Sequence, residues 1–182
     1  MSRAFAMAHR VALVAAVGSL MGLAACASPS RPELMIVPAT SGLTAATGDL
    51  GYRSVTSVIV SGGEETNPLW TAQVSNEDLK TALEASLTAA GYMGTEGPNM
   101  IVTANMVELQ QPMMGLDLSV TSRIQYSVTS NGRVVFNDTV SATGTGTMSD
   151  AFAAVERLRV ANEKSIKENI KQFLQRFRAT AR

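Results

Sequence analysis

The chain has 182 residues, with 15 basic and 15 acidic side chains, one histidine and one cysteine. No basic block is present, so nucleic-acid binding has no electrostatic footprint. The single cysteine excludes an internal disulfide, and it lies with the single histidine, His9, in the first 26 residues.

The N-terminus opens cationic, with Arg3 and Arg10. An apolar run follows from Val11 to about Ala25, interrupted only by Gly18, Ser19 and Gly22. A charged stretch followed by an apolar run of this length reads as an export signal. It falls short of the ~20 residues that a spanning helix needs. The run ends in Leu23-Ala24-Ala25-Cys26, which resembles the lipobox of bacterial lipoproteins. Small side chains let an extended backbone enter a protease cleft. The thiol then carries a diacylglycerol, each buried CH₂ adding about 0.8 kcal/mol of membrane affinity. Ala25-Cys26-Ala27 also reads as an ordinary signal-peptidase site. The lipobox reading is preferred because the box closes the apolar run and holds the only cysteine. This resemblance implies export, cleavage before Cys26, acylation there, and attachment to a membrane. Ala27, not Asp, follows the cysteine. Among lipoproteins that implies the outer membrane, with the domain facing the periplasm. The expected division is a cleaved signal peptide over 1–25, a lipidated cysteine and flexible tether over 26–50, and a periplasmic domain over 51–182.

Loss of Arg3 and Arg10 leaves 13 basic residues against 15 acidic, a net charge of −2. The mature protein then has no histidine and no free thiol. That excludes Ser-His-Asp and Cys-His catalysis and the usual nitrogen–sulfur zinc sites. No metal and no cofactor are expected. Carboxylates, four lysines and hydroxyls remain.

Residues 27 to about 50 are rich in Ser, Pro, Thr, Ala and Gly, as tethers are. Met35-Ile36-Val37 breaks that composition and can dock on the domain. A first strand is expected at 53–61, from the β-branched density of Val55, Val58, Ile59 and Val60. Trp70 reads as a core or lid residue. Ser75, three residues before Asp78, starts a helix through a variant capping box. Leu79, Ala82, Leu83, Ser86, Leu87 and Ala90 form its one apolar stripe, and Gly91 supplies a left-handed cap.

Strands are expected at 100–110, 116–128 and 133–143. In the second, Leu116, Leu118, Val120, Ser122, Ile124, Tyr126 and Val128 share a dry face. A three-residue Ser130-Asn131-Gly132 loop sets Val128 against Val134 and Tyr126 against Phe136, matching dry faces. It leaves Asp138 opposite Ile124, a misfit that suggests an edge or a bulge. The stretch from Gly144 to Met148 breaks the pattern. Ser149 or Asp150 then caps a long helix reaching Phe177, its stripe including Phe152, Val155, Leu158, Asn162, Ile166, Ile170 and Phe173.

The order β-α-β-β-β-α implies a two-layer α+β sandwich, a four-stranded, mainly antiparallel sheet with two helices on one face. With the lipobox and tether, this layout resembles small envelope lipoproteins of Gram-negative bacteria. It is similar to the lipopolysaccharide-assembly lipoproteins and to auxiliary lipoproteins of ABC-type transporters. The segments Ser75-Asn76-Glu77-Asp78-Leu79 and Asn131-Gly132-Arg133-Val134-Val135-Phe136 carry the second likeness. It implies a chaperone, plug or adaptor.

The candidate contact site is Pro112, Met113 and Met114. Adjacent loop methionines form an adaptable apolar surface for a partner or a lipid tail. Asn162 reads as a satisfied core amide, and Arg157, Arg159, Glu163 and Lys164 as a solvated helix face. The expected function is a non-enzymatic, membrane-anchored adaptor or accessory factor in envelope assembly or lipid transport, with an envelope protein as partner. A periplasmic lipid-binding module is the alternative. A carboxylate-based hydrolase has no motif to place its acid pair.

Overall fold

The computed structural model describes residues 27–67 and 71–181. Its elements are α1 (Pro32–Met35), β1 (Val55–Ser61), α2 (Asn76–Ala89), β2 (Met100–Gln110), β3 (Leu118–Ser130), β4 (Arg133–Gly146) and α3 (Ala154–Thr180). The expected signal peptide and lipobox, with Cys26, and also Trp70, lie outside the described residues. The strands form one sheet in chain order. β1 pairs with β2 in parallel, and the two later pairings are antiparallel. Both long helices cover one face, giving the expected two-layer α+β sandwich.

Period-2 burial in the strands meets period-3.6 burial in the helices. Val58, Val102, Ala104, Ile124, Tyr126 and Val128 point inward from the sheet. Leu79, Leu83 and Leu87 of α2 and Ile166, Ile170, Phe173 and Phe177 of α3 close over them. The other sheet face is wet and rich in hydroxyls, with Ser119 bonded to Thr145 and Thr121 to Thr143 across strands.

At the start of α2, Ser75 Oγ accepts the Asp78 N–H and the Asp78 carboxylate accepts the Ser75 N–H, closing the capping box. At its end Gly91 stands at φ +78°, while Gly91 N–H bonds Thr88 O and Tyr92 N–H bonds Leu87 O. That pair of bonds satisfies the last helical carbonyls.

The hairpin differs from the expected loop. Ser130 pairs with Arg133, so the turn is the two residues Asn131-Gly132, both at positive φ. This turn matches the right-handed twist of the strands. Face matching is restored by a bulge. Thr129 pairs with Val134 but Val128 with Phe136, leaving Val135 as the extra residue. Val128 then meets Phe136, and Ile124 meets Val140. Tyr126 is left opposite Asp138, whose carboxylate takes a hydrogen bond from Arg176 at 2.7 Å. Arg176 holds the Asp138 carboxyl below the usual carboxylate range.

Three further expectations change. β3 starts at Leu118, and Leu116 stays in the preceding loop. β4 runs through Gly144 and Gly146, where the absence of Cβ lets α3 lie on the strand. A Cβ at Gly144 would stand 2.2 Å from Ser165 N, and one at Gly146 would stand 2.0 Å from Arg157 O. The long helix begins at Ala154 with no side-chain cap. Asp150 is committed instead to Thr147 N–H at 2.8 Å and Lys164 Nζ at 2.9 Å.

The segment over 27–50 is not a free tether. Met35, Val37 and Leu43 are buried in the main core, and α1 packs against both α2 and α3. Val37 N–H bonds Ser86 Oγ at 3.0 Å, and Ala45 N–H bonds Ala90 O at 2.9 Å. The segment therefore fills the seam between the two helices along their length.

Candidate functional site

Leu118 opens β3 opposite Gly146, the last residue of β4. The β2–β3 loop and the β4–α3 loop therefore leave the sheet side by side. Between them and the start of α3 lies a cleft of about 690 Å³, lined by Gln111, Met113, Met114, Leu118, Val155 and Leu158 among others. Among the described residues that line it, none has a titratable side chain. Met113 and Met114 are 99% and 86% exposed, Leu116 is 76% exposed and Phe152 88%. Pro112 is half-buried at the base of the loop. Four long apolar side chains thus stand exposed at one end of a small domain, a candidate interaction surface.

Polar side chains hold this apolar end in place. Gln111 Nε2 donates to Ala72 O at 2.8 Å and to Asn162 Oδ1 at 3.0 Å, and Asn162 Nδ2 donates to Ala72 O at 2.9 Å. Asn162 is thus the satisfied core amide its place in the stripe implied. Arg157 Nη1 donates to Ala151 O and Phe152 O, fixing the loop that presents Phe152.

One turn along α3, Glu163 is 2% exposed. It accepts from Arg159 Nη1 and from the backbone N–H of Arg31, the latter at 3.0 Å. Arg159 also grips Glu156 at 2.6 Å. Burial opposes the Arg159 charge, but Glu156 and Glu163 outweigh it and hold its pKa above the ordinary arginine value. Arg157, Arg159 and Glu163 are therefore buried, not solvated as their spacing implied. The covering segment lies 132 residues away in the chain. Lys164 is on the surface but pairs with Asp150, and Glu168 pairs with Lys171.

A second polar seam joins α3 to the sheet. Ser165 Oγ lies 2.8 Å from Ser122 Oγ and accepts the Ser122 N–H at 3.0 Å. Asn169 Nδ2 donates to Val140 O at 3.0 Å, and Tyr126 Oη donates to Asn169 Oδ1 at 3.0 Å. Burial pushes the Tyr126 phenol pKa up. These hydroxyls bind one another and the backbone beneath the helix, which suits them to fixing register.

Among the described residues, no three or more His, Cys, Asp or Glu side chains are grouped to hold a metal. No described helix is long and apolar enough to cross a membrane. Of the expected site residues, Pro112, Met113 and Met114 come together at the cleft, while Cys26, Leu23, Ala24 and Ala25 lie outside the described residues. Leu116 and Phe152 were expected on buried stripes. Val155 and Leu158 were placed on the helix stripe but not at a site. Their apolar character was legible, but not their common end of the fold.

No protein-family model matches the chain, and no curated protein matches it in sequence. Solved structures do share its fold. A DUF330 protein from Xanthomonas campestris superposes with TM-score 0.55 at 9% identity, covering 84% of this chain and 96% of that one. A hypothetical protein from Chlamydia trachomatis gives 0.52 at 9% identity, covering 71% and 98%. A candidate lipoprotein from Caulobacter crescentus gives 0.52 at 12% identity, covering 74% and 94%. At such identities the likeness concerns the fold alone.

Proposed function

We propose that the protein is a bacterial envelope lipoprotein, cut before Cys26, acylated there and held on the outer membrane facing the periplasm. Its domain works by binding, as an adaptor or accessory factor in envelope assembly or lipid transport, and not by catalysis. The observation that carries this reading is the cleft under Met113 and Met114. Its described lining is mainly hydrocarbon, with no acid, base or nucleophilic thiol among those residues, a surface suited to apolar contact. The lipobox and the Ala27 that follows it support the anchor and the membrane. The Caulobacter protein of the same fold is described as a candidate lipoprotein, which supports the lipoprotein part of this reading alone.

The test uses the full precursor in a Gram-negative host fed an alkyne-bearing fatty acid. The wild type should be labelled and sediment with outer membranes, and Cys26→Ala should lose the label and become soluble. A photo-crosslinking side chain at Met114 should give a reproducible adduct with an envelope component, and one at Gln125 on the wet sheet face should not. An unlabelled wild type, or no adduct from Met114, would refute the reading.

A further inference from the structure

We propose, resting on the reading of Cys26 as acylated, that the apolar end of the domain is seated in the leaflet that holds the anchor, with Met113, Met114, Leu116 and Phe152 among the acyl chains. The chain path carries this. Ser30 Oγ donates to Gln73 O at 2.9 Å, and the Arg31 N–H donates to Glu163 at 3.0 Å. The chain is thereby fastened to the domain within five residues of Cys26. Five extended residues reach at most about 17 Å. The fastening point borders the cleft, since Gln111, a cleft residue, contacts Gln73 Oε1 and bonds Ala72 O. The length that a swinging tether would use is consumed elsewhere, between α2 and α3. Acyl chains on Cys26 therefore enter the bilayer beside the four exposed apolar side chains.

Hydrocarbon is then the nearest medium available to those side chains, and leaving water for it is favourable. Their exposure in the isolated domain follows, because the surface that covers them is the membrane. The seating is hydrophobic and not electrostatic. The exposed charge nearest in sequence is Asp117, which is acidic, so the contact should not require anionic lipid. This orientation turns the Asn131-Gly132 hairpin end away from the bilayer and leaves the wet sheet face open to the periplasm.

Depth-dependent quenching tests it on the full mature lipoprotein, purified with its acyl chains. Single thiols are placed by Met114→Cys, Phe152→Cys and, as the wet-face control, Gln125→Cys, and each carries a polarity-sensitive dye. The protein is reconstituted into phosphatidylethanolamine–phosphatidylglycerol vesicles and into phosphatidylcholine vesicles, each with and without lipids bearing a quencher on the acyl chain. The dyes at 114 and 152 should shift to the blue and lose intensity with quencher lipid in both compositions, and the dye at 125 should do neither. Co-flotation with unquenched dyes at 114 and 152 would overturn the seating while leaving the anchor intact. Blue shift without lipid quenching would assign the surface to a second copy and overturn it equally. Failure to float would remove the anchor itself, and the seating with it.

Discussion

Asp150 shows how one side chain can look like a helix cap and serve another purpose. Its carboxylate accepts the Thr147 N–H first of all, with Lys164 and the Thr147 hydroxyl adding to the effect, and its pKa falls to about 2 from 3.8. A carboxyl depressed in the folded state stabilises above its unfolded pKa, and that contribution is lost as pH falls through the folded value. Wild type should therefore lose stability between about pH 3.8 and about pH 2 relative to Asp150→Asn. The variant should be the less stable protein above that window, and the two melting curves should converge within it. Thermal melts across the acid range check this, and parallel curves would refute it. Glu163 makes the opposite lesson. With Arg157, Arg159 and Lys164 it read as part of a solvated helix face, yet it lies buried with Arg159 and the Arg31 N–H. Nothing local to α3 marks it, because the group that covers it arrives from the other end of the chain.

Among the elements, β4 and α3 depend most on small residues. Ala142, Gly144 and Gly146 form an inward row on which α3 rests. In sequence this Gly-Thr alternation looked like the end of a strand, since glycine weakens strands. In the fold it is the price of helix contact. At Gly144 an added Cβ would meet backbone atoms, Ser165 N at 2.2 Å and Ala161 O at 2.5 Å, and these cannot rotate away. Gly144→Ala should lower stability by about 3 kcal/mol or more, toward or beyond the upper end for overpacked cores. Gly42→Ala, which meets nothing within 4 Å, should change it little. Urea midpoints compare the two, and equal midpoints would refute this account of the contact. The hairpin illustrates a competition in the same strand. Dry-face matching argued for a three-residue loop, turn geometry won with two residues, and the bulge at Val135 reconciled both.

For the molecule as a whole, residues 27–50 belong to the folded domain and set its boundary. Met35, Val37 and Leu43 are each nearly inaccessible. Full burial of such side chains contributes roughly 1.5–3 kcal/mol apiece, and whole domains are stable by only about 5–15 kcal/mol. A chain starting at residue 51 should therefore melt far below one starting at residue 27, or fail to fold. Calorimetry of the two forms tests this. Matching transitions would return the segment to the status of a tether.

The sequence by itself determined the elements. Capping at Ser75, the left-handed Gly91, the apolar stripes and the alternation in β3 act within a few residues, and such signals survive in a linear chain. It also carried the lipobox pattern and the chemistry of Pro112, Met113 and Met114. Only the tertiary structure decided that Phe152 and Leu116 join them, that Arg159 and Glu163 are buried, and that the start of the domain runs between its helices. Those outcomes depend on contacts between residues scores of positions apart. Burial is settled by what covers a side chain, and local spacing leaves no record of it.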